Sequence, residues 1–353
     1  MKKKLLALAM SLARALPMLA ACAGPTTGST PAPNATKPAG TTSTGTPTYV
    51  WSIGMNSVEG DIPYYMAAKF EELIEEKSNG DIQIDMYPGG QMGGDAELTE
   101  NVIAGTLAFY CGNTSNTVPY VTAASVLDCH WEFDSMAHFR KMMDGDFFNL
   151  LNAEYEKAGM RMVSFAEVGL RELMSNRKIS SLSDLDGLKV RVMQNKYHIA
   201  AWQALGASPT PMDWGEVYVG LQQKMIDAVE QPYFFICSNK LYEVQDYMLL
   251  TEHLVQPAVL FMSNNVYKDL PDDVKALVDE CGKEAKEYTR KICDDMTQEK
   301  YQEILDKGVE VSEVSDEMLA EMRTLVAPAT DLARKDVGDT FFDQYAACRD
   351  AAR

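Results

Sequence analysis

The sequence predicts an α/β protein with two lobes, and three features of its 353 residues lead to this fold class. Strand patterns alternate with amphipathic helix patterns from residue 48 onward, and the same rhythm restarts near residue 160. Such alternation is typical of largely parallel sheets covered by helices. A helical pattern then runs from Pro271 to about Lys307; it would be about 55 Å long, so we expect it to span both lobes. The alternative is two helices broken at Gly282.

The first 47 residues have the composition of a targeting segment and a spacer. A basic start, "MKKK", precedes the apolar run "LLALAMSLARALPMLA", which is typical of a signal peptide over residues 1–21. The sequence "LAAC", which ends at Cys22, resembles a bacterial lipobox and predicts lipidation of this cysteine; the alternative is an ordinary signal peptide. Residues 22–47 are rich in Gly, Ser, Thr, Pro and Ala, which predicts a flexible linker after the lipidated cysteine.

The elements of the first series follow in the order β-α-β-α-β. The patterns predict a strand at 48–55, a helix at 61–80, a strand at 81–88, a helix at 94–105 and a strand at 106–112. The first helix pattern is amphipathic and ends at Asn79-Gly80, which is a helix C-cap signal. This order predicts a largely parallel sheet for the first lobe.

The second series begins with three strand patterns and continues with helices. The predicted strands are "GMRMVSFAEV" (159–168), "LRELMSN" (170–176), "LKVRVM" (188–193) and "IDAVEQP" (226–232). Between the last two strands lie the helix patterns "KYHIAAWQALG" (196–206) and "DWGEVYVGLQQKM" (213–225), the second with Asp213 as a plausible N-cap. A second α/β lobe follows from this repetition.

The composition and the absence of known motifs argue against several classes of function. The chain has 51 acidic and 32 basic residues and a net charge of −19, so we expect no binding to nucleic acid. Seven cysteines show no CxxC spacing, and we expect those other than Cys22 to be buried and reduced, with disulfide pairing left open. The four histidines lack metal-ligand spacing and no catalytic or nucleotide-binding motif occurs, so we expect no metal, no cofactor and no enzymatic activity.

A few polar residues interrupt the apolar strand patterns of the second series. Arg171 follows "EVGL", Arg191 lies within "GLKVRVMQN", and Gln231 ends "IDAVEQP". If the strand alternates between a buried and an exposed face, Arg191 could simply face solvent together with Lys189. The other interpretation is that Arg191 and Arg171, on strands that could be neighbours, bind a carboxylate through the guanidinium fork.

Several motifs in a consistent order resemble one family. The run from Gly187 to His253, which contains "LKVRV", "SPTPMDW" and "DAVEQP", is similar to the DctP-type solute-binding proteins of TRAP transporters. The runs "YPGGQMGGDAELTENVIAGTLAF" (87–109), "SNRKISSLSDLDGLKVRV" (175–192) and "YKDLPDDVKALV" (267–278) extend the resemblance over nearly all of residues 48–310.

The resemblance implies a two-lobed periplasmic binding protein fold, type II-like, with strand-exchanging hinges and a long spanning helix. It implies lobe I at 48–168 plus about 257–296, and lobe II at 169–256 plus about 297–353.

The resemblance also implies a set of substrate-binding residues. In this family the arginine of the "LKVRV" strand binds the substrate carboxylate, which corresponds to Arg191. The other positions implied for the cleft are Arg171, the aromatic Trp214, Asn56 and Asn113. Gln231 stands where the family's "ENP" tripeptide has asparagine, and this departure bears on the exact substrate. Asn195 and Gln231 offer hydrogen bonds to hydroxyl groups, so we expect a sugar acid rather than a plain C4-dicarboxylate.

The implied function is capture of a small carboxylate outside the cytoplasm and its delivery to the membrane subunits of a TRAP transporter. We expect a monomer, attached through its lipid to the outer face of the cell membrane or otherwise periplasmic. One alternative is a ligand sensor that passes the closed state to a signalling receptor. Another is a lyase acting on an organic acid, for which His198 and Glu230 are the candidate acid-base groups.

Overall fold

The structure, a computed structural model, describes residues 46–353. The predicted signal peptide at 1–21, the lipidation site Cys22 and the linker up to residue 45 lie outside the described residues. In the described part no helix is long and apolar enough to cross a membrane. The six cysteines there form no disulfide with one another; five are buried as expected and Cys348 is half-buried, and their reduced state stays a prediction.

Strands and helices alternate through most of residues 46–353. The strands are β1 (Tyr49–Gly54), β2 (Ile82–Tyr87), β3 (Phe109–Gly112), β4 (Met160–Leu170), β5 (Glu172–Ser175), β6 (Val190–Val192), β7 (Thr210–Pro211), β8 (Ala228–Gln231), β9 (Tyr247–Leu250), β10 (Val255–Ser263) and β11 (Glu310–Glu313). The helices are α1 (Ile62–Lys77), α2 (Asp95–Ala104), α3 (Thr114–Thr117), α4 (Met136–Met143), α5 (Asp146–Lys157), α6 (Lys196–Ala204), α7 (Val217–Gln222), α8 (Tyr233–Ser238), α9 (Asn264–Lys268), α10 (Asp272–Asp306), α11 (Asp316–Val337) and α12 (Asp339–Ala351).

Two sheets form the framework. The first has the order β2-β1-β3-β10-β4, in which β1 is parallel to β2 and β3 while β10 is antiparallel to β3 and β4. The second has the order β11-β9-β5-β8-β6-β7. In it β6 is parallel to both β7 and β8, and β5 is antiparallel to β8 and β9. The two mixed sheets confirm the predicted α/β class.

The chain crosses between the sheets three times; the last crossing runs from β10 through α10 to β11, and the first two are adjacent. β4 of the first sheet ends at Leu170 and β5 of the second begins at Glu172, with Arg171 between them. The return crossing runs from β9 to β10, and the backbone N–H of Arg171 donates to the carbonyl of Leu254 in this return segment at 2.9 Å. The crossings are thus joined by a backbone hydrogen bond. A pair of adjacent crossings of this kind is the hinge arrangement that the sequence led us to expect.

Helix α10 is a single uninterrupted helix of 35 residues, as predicted, and the alternative break at Gly282 is wrong. It packs against α1 and β4 of the first lobe and against α8, which follows β8 of the second sheet. Gly282 is the point of closest approach, because a Cβ there would lie 2.3 Å from the backbone oxygen of Val163 in β4. Glycine is therefore required for packing and does not break the helix.

The lobe boundaries implied by the resemblance stay a prediction. Helix α11 packs against α6, whereas the last helix, α12, packs against α4 and α5, which themselves contact β4 of the first sheet. The end of the chain therefore contacts elements on both sides of the crossings.

A titratable side chain lies at a contact between distant parts of the chain. Asp61, fully buried before α1, accepts hydrogen bonds from the backbone N–H of Val58 at 2.9 Å and from the hydroxyl of Ser238 at the end of α8. Burial raises the pKa of Asp61 from 3.8 to about 7, although the hydrogen bonds oppose this shift. Its carboxyl group therefore titrates near neutral pH while it holds α1 to α8.

We predict that Gly282→Ala lowers the free energy of unfolding by about 1–3 kcal/mol, the usual cost of forcing a methyl group into a packed site. Urea unfolding measures this change. Lys283→Ala is the matched control, because the neighbouring Lys283 is exposed on the same helix and its change should stay within about 0.5 kcal/mol. Equal stabilities of the two variants would contradict the close contact between α10 and β4.

We also predict a pH-dependent stability that depends on Asp61. The pKa of Asp61 is higher in the folded state than in the unfolded chain. Its contribution to the free energy of unfolding is therefore fully present below about pH 4 and is lost as the pH rises through about 7. Between pH 5 and pH 8 this group should lower the free energy of unfolding by about 3 kcal/mol, at about 1.4 kcal/mol per pKa unit.

Asp61→Asn removes the titration, and its amide can still accept from Val58 and donate to Ser238. The stability of this variant should therefore fall less between pH 5 and pH 8 than that of the wild type. Urea unfolding at each pH measures the difference, and Asp331→Asn, at an exposed position on α11, serves as the charge control. Identical pH slopes in all three proteins would contradict the prediction.

Candidate functional site

Arg191 is a buried cation with a free hydrogen-bond donor. It lies in the middle of β6, where Val190 and Val192 point into the apolar core of the second lobe and Arg191 points to the opposite face. Its Nε and Nη2 donate to the carbonyl oxygen of Met212 at 3.0 and 2.7 Å. Nη1 is buried and finds no acceptor among the described residues.

The charge of Arg191 is not neutralised by a direct ion pair. It is 3% exposed, and within residues 46–353 no carboxylate lies within ion-pair distance of it. Burial, followed by the charge of Arg171, lowers the pKa of Arg191 to about 10, so the side chain is still charged at neutral pH. An unpaired buried cation is costly, and an anion that binds Nη1 would relieve this cost.

Residues from both sheets line a cavity around this guanidinium. Its walls come from the ends of β1 and β3, the start of α1 and α2, β6, β8, α8 and β10. The lining residues are Asn56, Ser57, Pro63, Asp95, Cys111, Gly112, Asn113, Asn116, Arg191, Met193, Trp214, Gln231, Phe235 and Gln256. The cavity volume is about 30 Å³, which is roughly the space of one or two water molecules. The walls are therefore close together, as in the closed form of a two-lobed protein.

Two aromatic rings form an apolar wall. Trp214 follows Asp213, whose carboxylate caps the next turn by accepting from the backbone N–H of Gly215 at 3.1 Å. The guanidinium carbon of Arg191 lies 5.5 Å from the Trp214 ring, and the ring packs edge-on against Phe235 at 5.6 Å. The rings restrict water around the cation, which strengthens its interaction with an anion.

Three predicted amides contribute to the polar lining. Asn56 follows β1, and Asn113 follows β3, where its side chain caps α3 by accepting from the N–H of Asn116 at 3.0 Å. Gln231 ends β8, and its buried Oε1 has no donor among the described residues. The structure thus brings Arg191, Trp214 and these three residues together, as the resemblance implied.

Arg171 lies outside the cavity lining and is held by protein groups. Its three guanidinium nitrogens donate to the carboxylate of Glu230, to the backbone oxygen of Glu230 at 2.6 Å and to the side-chain oxygen of Gln256. The expectation that its strand could neighbour that of Arg191 is wrong, because β8 lies between β5 and β6. The physical reason is that β8 pairs with both strands and carries the partner that Arg171 requires.

Glu230 is the centre of a buried ionic cluster. Burial alone would raise its pKa, but the charge of Arg171 and the hydrogen bonds from His253 and Arg171 lower the pKa of Glu230 below its ordinary value. His253 lies 3.1 Å from the same carboxylate, and burial lowers its pKa. These contacts occupy Oε2 of Glu230, while its Oε1 lies 3.9 Å from Nδ1 of His198, which is likewise buried on α6 with Asp128 3.2 Å from its Nε2. The two candidate acid-base groups of the lyase alternative therefore serve the interior of the fold.

Asn195 also lies behind the cavity. Its side-chain oxygen caps α6 by accepting from the N–H of Tyr197 at 2.9 Å, and its amide donates to Asp128 at 2.6 Å and to the backbone oxygen of Ser115 at 3.1 Å. The amide is fully used in these bonds. Asn195 therefore joins α6 to the segment after β3, and its proposed contact with substrate stays a prediction.

Nine of the fourteen lining residues were not predicted from the sequence, and three of these, Asp95, Asn116 and Gln256, are polar groups of particular interest. Asp95 begins α2 and Asn116 lies within the short helix α3, and their local patterns indicate only helix starts. Gln256 did carry a usable signal, since it interrupts the apolar strand "VQPAVLFM" as Arg191 interrupts its own strand. Gln256 and Arg191 thus share one sequence pattern, a polar residue within an otherwise apolar buried strand.

The two-sheet architecture with a polar cavity at the crossings defines a class, the bilobed solute-binding receptors. The chain belongs to the DctP family, the bacterial extracellular solute-binding proteins of family 7, whose model matches residues 53–336. It is therefore an extracytoplasmic binding receptor and not an enzyme.

Several named proteins are similar to this chain. The 2,3-diketo-L-gulonate-binding periplasmic protein of Escherichia coli is 29% identical over 73% of this chain and 79% of that protein. The sialic acid-binding periplasmic protein of Vibrio cholerae is 30% identical over 64% of this chain and 71% of that protein. A solved TRAP periplasmic solute-binding protein from Polaromonas, bound to D-erythronate, superposes with a TM-score of 0.80 at 28% identity, covering 85% of this chain and 98% of that chain.

We predict that Glu230→Gln lowers the free energy of unfolding by about 3–5 kcal/mol, because it leaves the buried charge of Arg171 without a counter-charge. Urea unfolding measures the change. Glu310→Gln is the control, since Glu310 pairs with Lys178 at 2.6 Å on the surface and its loss should cost at most about 1 kcal/mol. A similar cost for both substitutions would contradict the structural role of the buried pair.

Proposed function

We propose that this receptor captures a small organic acid in the cavity at Arg191, closes around it and delivers it to the membrane subunits of a TRAP-type transporter. The observation that carries the proposal is the buried Nη1 of Arg191, which has no acceptor among the described residues and borders the cavity. A carboxylate supplies the missing acceptor and counter-charge at once.

The energetics favour closure on the ligand. In an open cleft water hydrates Arg191, so the charge costs little. In the closed cleft the same charge is desolvated, and a bound carboxylate compensates for it in a medium of low dielectric constant. The ligand therefore stabilises the closed form in preference to the open form, and this difference shifts the population toward closure.

For the substrate we propose a uronate or another sugar acid ahead of a C4-dicarboxylate. Asn56, Asn113 and Gln231 offer amide groups suited to hydroxyl hydrogen bonds, and the rings of Trp214 and Phe235 offer an apolar face. A solved relative from Xanthobacter autotrophicus, 25% identical with a TM-score of 0.80, is bound to β-D-galacturonate. The Escherichia coli relative is named for 2,3-diketo-L-gulonate, another sugar-derived acid.

We further propose that the receptor is a monomer tethered at the outer face of the cell membrane through a lipid on Cys22. The sequence "LAAC" supports the lipid attachment, and the composition of residues 23–47 supports a tether. Such a tether keeps the binding domain near the transporter and raises its effective concentration there.

We predict that sugar acids raise the melting temperature of the wild-type protein and that Arg191→Ala loses this effect. A thermal-shift screen with D-galacturonate, D-glucuronate, galactonate and D-erythronate identifies a ligand, and calorimetric titration gives its affinity. Truncating one partner of a buried charge pair costs about 2–5 kcal/mol, so the affinity should fall at least about 30-fold.

Lys189→Ala is the matched control, because Lys189 precedes β6 in the same segment but is exposed. It should bind the ligand as the wild type does. Arg191→Lys keeps the charge but not the planar fork, and it should also lose most of the affinity. Full affinity of folded Arg191→Ala would overturn the assignment of Arg191, and the absence of binding to every organic acid tested would overturn the proposed function.

A further inference from the structure

Besides its arginine, the cavity contains a carboxylate. Asp95 is the only acidic and Arg191 the only basic side chain among the described residues that line it. Asp95 is the first residue of α2, where the positive end of the helix dipole favours a negative charge. It forms no direct ion pair with Arg191 in the described structure, although the charge of Arg191 acts on it across the cavity and lowers its pKa against the larger, opposite effect of burial.

The two oxygens of Asp95 are held in place by donors. The hydroxyl of Tyr110 donates to Oδ1 at 2.8 Å, and the amide of Asn116 donates to Oδ2 at 2.7 Å. Each carboxylate oxygen can accept more than one hydrogen bond, so both retain capacity toward the cavity. Burial is the largest influence on the pKa of Asp95 and raises it, while the hydrogen bonds from Tyr110 and Asn56 oppose this shift in part.

We infer that Asp95 makes the cavity selective for acids with one carboxylate and several hydroxyl groups and excludes the corresponding dicarboxylates. This inference rests on the proposed function, because it concerns the end of the ligand that lies away from Arg191. Arg191 binds the single carboxylate. Asp95 accepts hydrogen bonds from hydroxyl groups, while a second carboxylate on the ligand would meet a like charge with no further cation at the cavity wall.

The other charges near the cavity do not provide for a second carboxylate. Arg171 is already neutralised by Glu230 and has all three guanidinium nitrogens in hydrogen bonds. Asp213 adds negative charge beside α2, since its carboxylate lies 2.7 Å from the position that a Cβ at Gly94 would occupy. Two like charges confined in a desolvated site repel strongly, so a dianion is disfavoured on the side of Asp95.

Two pairs of acids with identical carbon chains test this inference. Galactonate and galactarate differ only in a terminal hydroxymethyl or carboxylate group, and so do D-erythronate and meso-tartrate. We expect the hydroxymethyl member of the bound pair to bind wild-type protein at least about tenfold more tightly than its dicarboxylate partner, as measured by calorimetric titration at pH 7.5. A dicarboxylate that binds equally or more tightly overturns the inference but leaves the proposed function standing.

Asp95→Asn tests the role of the residue itself. The substitution removes the negative charge at nearly constant volume, so the affinity ratio between the two members of a pair should fall at least about tenfold, with the dicarboxylate gaining. Asp331→Asn removes the same charge at an exposed position and should leave the ratio unchanged. An unchanged ratio in Asp95→Asn overturns the inference. Because the wild-type comparison needs no variant, poor folding of Asp95→Asn leaves the inference testable, and failure of every acid to bind refutes the proposed function instead.

Discussion

The desolvated charge of Arg191 is the constraint on which the cavity depends. Two of its nitrogens are satisfied by one backbone carbonyl, that of Met212, which fixes the plane of the guanidinium. The third nitrogen is left without an acceptor among the described residues. A lysine in this position would have no such plane, because its charge rotates freely about one bond. In the function we propose, the guanidinium is therefore oriented by the protein before a carboxylate arrives.

The second arginine has a different physical role, and it connects the cavity to the hinge. Arg171 lies at the crossing between the sheets, and its side chain holds Glu230 of β8 and Gln256 of β10. Gln256 lines the cavity, and so does Gln231, the residue after Glu230 on β8. A displacement of β10 against β8 thus changes the contacts of Arg171 and the cavity walls together. Arg171 therefore links a strand of each sheet directly beside the cavity.

The sequence predicted well those features that depend on local patterns. The alternation of strands and helices was sufficient for the fold class, and the continuous apolar positions of α10 were sufficient for its length. Arg191 was identifiable because an arginine inside an apolar strand requires an explanation, and the family resemblance supplied one. Trp214 was a possible apolar wall on the sequence alone, whereas Asn56 and Asn113 followed from the resemblance, since nothing local separates them from surface residues.

Features that depend on contacts between distant segments were not predictable in this way. Glu230 is 59 residues from Arg171, and only the antiparallel pairing of β5 with β8 brings them together. Asn195 has the sequence pattern of a helix cap and does cap α6. Its bonds to Asp128 and Ser115 depend on the packing of α6 against the distant segment that follows β3. Asp95 likewise shows only a helix start, since its cavity position depends on how α2 packs.

The acidity of the whole chain does not prevent a site for anions. Exposed carboxylates are screened by salt beyond about 8–10 Å, so the net charge of −19 acts weakly on a ligand already inside. Within the cavity there is little water to screen charge, and the few buried groups dominate. In the function we propose, Arg191 therefore governs whether an anion binds at all. In the selectivity we infer, Asp95, in the same unscreened space, governs how much negative charge the ligand can carry, so a single pair of opposite charges would account for both affinity and selectivity.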